Sequence, residues 1–154
     1  MKRKSFQEMD CPVAQTLERV GEQWSILILR DALRGLKRFD EFLRSLDVAP
    51  NMLARRLATL VEAGLLEKSR YCDRPLRYEY LLTDAGRDFQ SVIHALIAYG
   101  NRHFTEGGHS VYILDTETGQ AAEPVVVDRS SGELIREPRF RLGGDAVKSA
   151  TDGA

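Results

Sequence analysis

The stretch from Pro50 to Thr83, "PNMLARRLATLVEAGLLEKSRYCDRPLRYEYLLT", constrains the fold more than any other part of the chain. A helical pattern closes at Gly64, and two strand-like runs, "LLEKSRY" and "RYEYLLT", follow it directly. The tip between them, Cys72-Asp73-Arg74-Pro75-Leu76-Arg77, is stiffened by proline and carries two arginines. A hairpin with only a structural task turns more often through Asn-Gly or Asp-Gly. This tip has the make-up of one presented to something negatively charged.

Three further helices are expected upstream. Pro12 suits a first helical turn because it has no N–H to leave unsatisfied, which puts Cys11 at the N-cap. Val13, Leu17 and Val20 then share one face. Gly21 breaks that helix. In "QWSILILRDAL" the residues Trp24, Ile26, Leu27, Ile28, Leu29, Ala32 and Leu33 cover nearly the whole circumference, as in a central core helix. Gly35 is its stop. "RFDEFLRSL" predicts a short helix burying Phe39, Phe42, Leu43 and Leu46. The next helix begins with Pro50 in its first turn and points Leu53, Leu57, Leu60 and Val61 inward. Its other face offers Asn51, Met52, Arg55, Arg56 and Thr59. No internal repeat is visible.

A short helix, a three-residue turn ("DVA") and a longer helix with an arginine-bearing face form a helix-turn-helix pattern. The hairpin that follows makes it a winged version. The expected fold class is therefore mainly α with a small β-hairpin (α+β), a winged helix-turn-helix with a long C-terminal dimerisation helix. The expected partner is double-stranded DNA. Asn51, Met52, Arg55 and Arg56 would face the major groove, and Arg74, Pro75 and Arg77 the backbone or minor groove. Lys37 and Arg38 join them as phosphate ligands by position. Each has a plainer reading: Arg55 and Arg56 as a solvated helix face, Lys37 and Arg38 as loop dressing, Asn51 as a turn residue. Asp73 would repel phosphate and reads as a turn residue or an ion-pair partner.

"CPVAQTLERVGEQWSILILRDALRG", "RFDEFLRSL" and "NMLARRLATLVEAGLLEKSRYCDRPLRYEYLLTDAG" together resemble the HxlR-type winged helix-turn-helix regulators of bacteria, over roughly Cys11 to Gly100. The resemblance implies a dimeric DNA-binding transcription factor, frequently a repressor and sometimes an activator. Several such relatives sense electrophiles or oxidants through the cysteine of the Cys-Pro pair, here Cys11. A helix N-terminus favours thiolate at that position, while Glu8 and Asp10 oppose it; the plain alternative is an inert, half-buried thiol. Two departures stand out. Ala49 occupies the capping position where the family often has Ser or Thr, a loss of about 1 kcal/mol. An acidic segment also continues beyond Phe104.

Composition narrows the function classes. The chain has 154 residues, 43% of them hydrophobic, enough for one real core with a small appendage. No apolar run approaches the roughly 18 residues of a membrane span, and the basic N-terminus has no hydrophobic stretch behind it. Two cysteines, Cys11 and Cys72, are too few for a disulfide framework, so the chain reads as cytoplasmic. The net charge of −1 hides an asymmetry: 17 Lys/Arg against 14 Asp/Glu in residues 1–104, and 5 against 9 in residues 105–154. His94, His103 and His109 make no recognisable metal site with the cysteines. No phosphate loop, nucleophile elbow or paired-acid motif appears, so neither a cofactor nor an enzyme is expected.

After the wing, Thr83 reads as the N-cap of one long helix. Phe89, Val92, Ile93, Leu96, Ile97, Gly100 and Phe104 form a continuous apolar stripe along it. The stripe reads either as extra core or as a homodimer interface with the N-terminal helices of a second copy; we favour the interface. Such a dimer would prefer an inverted-repeat operator. "HSVYIL" and "EPVVVD" suggest a small hairpin around "DTETG", packing on the dimerisation region or lining an effector cavity. The expected layout is a DNA-binding and dimerisation domain at 8–104, a β-hairpin extension at 105–142 and a mobile tail at 143–154. Beside a regulator answering to a small molecule or oxidant stands one other reading, a winged-helix module binding an acidic protein.

Overall fold

The computed structural model describes residues 5–106 and 111–143; the tail expected at 143–154 lies outside them apart from Gly143. The chain divides into two compact units, Met1–Ile93 and His94–Ala154. In the first, α1 (Pro12–Val20), α2 (Gln23–Leu33), α3 (Phe39–Leu46) and α4 (Pro50–Glu62) precede the hairpin β1 (Leu66–Asp73) and β2 (Leu76–Leu82). Then come α5 (Asp84–Asp88) and α6 (Gln90–His103), which runs on into the second unit. The fold is a mixed α+β winged helix. Among the described residues no helix is long and apolar enough to cross a membrane.

The helix ends follow local chemistry. Pro12 and Pro50 occupy the first turns of α1 and α4. Gly35 and Gly64 take φ of 102° and 76°, left-handed values that a side chain resists, and so end α2 and α4. Ala49 is the N-cap of α4 and supplies no side-chain bond. Asp47 ends α3 at φ 49°, a conformation that Asp tolerates better than most residues, and this bend makes the tight turn into α4. At the start of α3, Glu41 Oε2 accepts hydrogen bonds from the backbone N–H of Lys37 (2.8 Å) and Arg38 (2.9 Å). These bonds hold its carboxyl below the ordinary value.

Helix α2 packs on α1, α3, α4 and β2 and is the centre of the unit. Ile28, Leu29, Phe42, Leu53, Leu57, Leu60 and Leu66 form a nearly solvent-free core. Helices α2 and α3 are less deeply buried than their apolar content predicts. Trp24, Ile26, Leu27 and Leu33 are half-buried, as are Phe39, Leu43 and Leu46. On α1 the buried residues are Ala14 and Val20, while Val13 and Leu17 are exposed. The core also contains a charge that periodicity does not reveal. Asp31 is fully buried and meets Arg30 at 2.9 Å, Arg34 at 3.5 Å and the Ser45 hydroxyl at 2.6 Å, tying α2 to α3.

Thr83 is the expected N-cap. Its Oγ1 accepts from Gly86 N (3.1 Å) and donates to the Gly64 carbonyl (2.6 Å), clasping the end of α4 to the start of α5. Gly86 admits no side chain, because a Cβ there would run into the Leu65 carbonyl oxygen. The single long helix expected from Thr83 is instead two, broken at Phe89. The apolar stripe divides with it. Phe89 and Ile93 are buried within the chain. Ile97 and Gly100 are half-buried, whereas Val92, Leu96 and Phe104 are exposed, Phe104 at 74%. Tyr99, absent from the expected stripe, is exposed too and stands 5.6 Å from Phe104, ring to ring.

In the second unit the expected pairing of "HSVYIL" with "EPVVVD" does not form among the described residues. Ile113–Leu114 (β3) pairs with Ala121–Ala122 (β4), and Val127 bridges to Leu134 instead. The reason is a short internal repeat, Asp-x-x-x-Gly at 115–119 and again at 128–132. In both, the glycine N–H donates to the aspartate carbonyl (2.8 and 2.7 Å), with glycine φ of 72° and 73°. Each aspartate carboxyl is held below its ordinary value by bonds inside its own turn, Asp115 chiefly by the backbone N–H of Glu117 and Asp128 chiefly by the Ser131 hydroxyl, then by the Ser131 backbone N–H. Two local hairpins thus form where one was expected.

Candidate nucleic-acid interface

The core residues Leu53, Leu57 and Leu60 point one side of α4 inward, so the opposite side is set by the helical period. Asn51, Ala54, Arg55, Ala58 and Glu62 are exposed along it, with Met52 and Thr59 half-buried at its margins. Two exposed alanines leave the face slender, which suits insertion into a major groove about 12 Å wide. Arg55 makes no ion pair with any described residue. Asn51 and Arg55, one turn apart, are therefore presented together at the N-terminal half of α4.

Arg56 departs from the expectation. Its side chain is only 21% exposed and meets Glu22 at 3.4 Å, so it braces α4 against the α1–α2 junction. Adjacent residues on a helix lie about 100° apart, and the second arginine of "ARRL" is carried round towards the core edge.

The wing is sharper than the six-residue tip expected. Cys72 pairs with Arg77 and Asp73 with Leu76, leaving Arg74 and Pro75, joined by a cis peptide bond, as the two-residue turn. Arg74, Pro75 and Arg77 are all exposed, and neither arginine is ion-paired among the described residues. Asp73 instead meets Arg70 at 3.0 Å, so the acid at the wing neutralises a neighbour within its own strand. A bulge at Tyr71 shifts the register between Arg70 and Cys72, and bulges of this kind bend and twist a strand.

Lys37 and Arg38 belong to the wing and are not loose loop residues. The Tyr80 N–H donates to the Lys37 carbonyl at 2.7 Å, and Arg38 bridges to Glu79. The Arg38 guanidinium lies 4.6 Å from the centre of the Tyr71 ring, and Lys68 stands 4.4 Å from that of Tyr78. Such cation–π contacts contribute about 0.5–1 kcal/mol at exposed sites and orient the cations. This bridge is not legible in "GLKRF", which is too brief to show a period of two. Lys68, Arg74 and Arg77 thus lie on the hairpin, Lys37 and Arg38 are bonded to its β2 edge, and β1 of that hairpin packs beside α4.

Cys11 is a free, half-buried thiol at the N-cap of α1, with no side-chain capping bond.

The HxlR-like helix-turn-helix family pattern matches residues 19–108. The chain is 37% identical over 124 residues to the uncharacterised HTH-type transcriptional regulator Rv3095 of Mycobacterium tuberculosis, covering 80% of this chain and 78% of that one. Among solved structures it is 51% identical to PA1374 of Pseudomonas aeruginosa, described as a candidate transcription factor. That match has a TM-score of 0.62 and covers 88% of this chain and 94% of the other. The redox regulator HypR in its oxidised form is 29% identical with a TM-score of 0.57, covering 62% of this chain and 100% of that one.

Proposed function

The chain belongs to the HxlR-like helix-turn-helix family of transcriptional regulators, and on that premise we propose that it is a homodimeric repressor acting in the cytoplasm. In this reading α4 enters the major groove of an inverted-repeat operator while the wing lies on the flanking backbone or minor groove. One observation carries it: α4 exposes Asn51 and Arg55, and the hairpin packed beside it exposes Arg74 and Arg77, all without ion-pair partners among the described residues. Unpartnered arginines on two adjoining elements supply both kinds of contact that operator binding needs. Arg74 and Arg77 on the wing neutralise phosphate, and Arg55 on the helix reaches base edges.

The division of labour is testable. Arg77→Ala should weaken operator and random DNA by similar factors and lower the salt dependence by about one charge per site. Arg55→Ala should weaken the operator more than random DNA, by about 1–3 kcal/mol per lost base contact. Titrations of both variants at several salt concentrations check this. A changed sequence preference for Arg77→Ala but not for Arg55→Ala would reverse the two roles. Duplex binding that neither variant alters would hand the wing to an acidic protein partner.

The dimer of this proposal is held through the exposed side of α6, by Val92 and Leu96 with Ile97 and Gly100 beside them and Phe104 just beyond its end. Two copies about 34–36 Å apart would then read two half-sites one helical turn apart. A sedimentation profile that stays monomeric at every concentration removes this part of the proposal.

Similarity to HypR, a redox regulator, supports a sensing role for Cys11. Oxidation or alkylation of this thiol at the start of α1 should weaken operator binding. Cys11→Ser should keep full affinity in reducing buffer and lose the response to a mild oxidant. If the serine variant still responds as the parent does, Cys11 is a structural thiol.

A further inference from the structure

The second unit contains a groove of about 460 Å³ that the DNA-binding reading does not use. Its floor is α6, where Ala95 and Ala98 are too small to fill the space between Tyr99 and Arg102. Its wall is the second Asp-x-x-x-Gly hairpin: Val125 and Val126 on one side of the turn, Leu134, Ile135 and Arg136 on the other. The wall is braced by backbone bonds, from Ile135 N–H to the Val126 carbonyl (3.0 Å) and from Asp128 N–H to the Glu133 carbonyl (2.8 Å).

Two properties define what the groove accepts. Val125, Val126, Ile135 and Tyr99 leave roughly half or more of their surfaces in water, an apolar area that burial would stabilise. Arg102 and Arg136 line the same groove, no acidic side chain does, and neither guanidinium has an ion-pair partner among the described residues. Arg136 belongs to residues 105–154, which carry 5 Lys/Arg against 9 Asp/Glu, and Arg102 lies just before them. That acidic balance disfavours nucleic acid or an anionic membrane as the occupant. The volume falls within the roughly 300–1,000 Å³ of small-molecule sites.

We propose that the groove between α6 and the Asp128 turn binds a small amphipathic carboxylate, with its apolar body against Val125, Val126, Tyr99 and Ile135 and its anionic group between Arg102 and Arg136. Binding stands independently of the DNA reading; its consequence, a change in operator affinity through the exposed side of the same helix, rests on that reading.

Calorimetry on the full chain with 1-naphthoate and with octanoate tests the site. At least one of the two should bind with one site per chain, and 1-naphthamide, which keeps the ring and lacks the charge, should bind at least about tenfold more weakly than 1-naphthoate or not at all. An Arg102→Gln/Arg136→Gln variant should lose about tenfold or more in carboxylate affinity. Ala98→Leu, which fills the floor, should abolish binding while circular dichroism keeps the parent's helix content. The proposal is overturned if neither carboxylate binds, if the amide binds as well as the acid, or if the double-arginine variant binds like the parent. It is also overturned if Ala98→Leu changes the sedimentation coefficient, which would assign the groove to a second copy. Operator titrations with and without 1-naphthoate separate the two readings. Carboxylate binding without any duplex binding retains this site and removes the regulator; duplex binding without carboxylate binding does the reverse.

Discussion

Replacing Arg30 with methionine should lower the unfolding free energy by about 3–5 kcal/mol. Asp31 has no exposed surface, and its strongest ionic partner is Arg30 at 2.9 Å. Methionine retains much of the arginine's apolar stem and removes its charge, leaving a buried carboxylate short of compensation. Arg34 is a poor substitute, being 3.5 Å away with its side chain 54% exposed, where solvent weakens an ion pair. The Ser45 hydroxyl remains but carries no charge. Urea denaturation gives the loss, and adding Asp31→Asn to Arg30→Met should recover a substantial part of it, because the stranded charge is then gone. A single-variant loss below about 1 kcal/mol would show that water reaches Asp31 and that the pair is not a buried one. The effect bears on function because Asp31 joins α2 to α3, the first helix of the helix-turn-helix.

Phe42→Ala should cost a similar amount, about 3–5 kcal/mol, through lost transfer free energy and the cavity left behind. Phe42 is the fully buried side chain of α3, and α3 packs on both α2 and α4. Domains of this size are stable by only about 5–15 kcal/mol, so the variant should be markedly more populated in unfolded forms. The midpoint in urea should fall with little change in slope. An unchanged midpoint would mean that α3 does not anchor α4. A duplex affinity that returns to the parent value at low temperature would show that the presented face survives once the chain is folded.

The helix starts at Pro12, Pro50 and Thr83, the stops at Gly35 and Gly64, the inward side of α4 and the hairpin after it were all legible in the sequence. Each is written in chemistry that acts over a few residues: a ring that fixes φ, a glycine free to turn left-handed, a hydroxyl that caps, a spacing of three and four. The same local signals placed Asn51 and Arg55 outward and Arg74, Pro75 and Arg77 on the wing. The motif order in Cys11–Gly100 pointed to the right family for the same reason, since the order of elements is a property of the chain. The missed Asp-x-x-x-Gly repeat was local too, but its two copies share little besides the turn residues.

Tertiary structure alone decided which charges are free and which apolar residues remain uncovered. Arg55 and Arg56 are neighbours in sequence, yet only Arg56 finds Glu22, because α4 packs at an angle that brings the α1–α2 junction to one side of it. Lys37 and Arg38 read as loop residues until β2 takes them as backbone partners. Asp31, a polar residue in an apolar helix, is buried only because Arg30 and Ser45 meet it there. Phe89 and Ile93 lie on the same sequence stripe as Leu96 and Phe104, but the break at Phe89 and the packing of the first unit bury the first two and leave the others in water. Periodicity assigns a residue to a face of its own helix; what covers that face depends on segments distant along the chain, and their approach is set by packing.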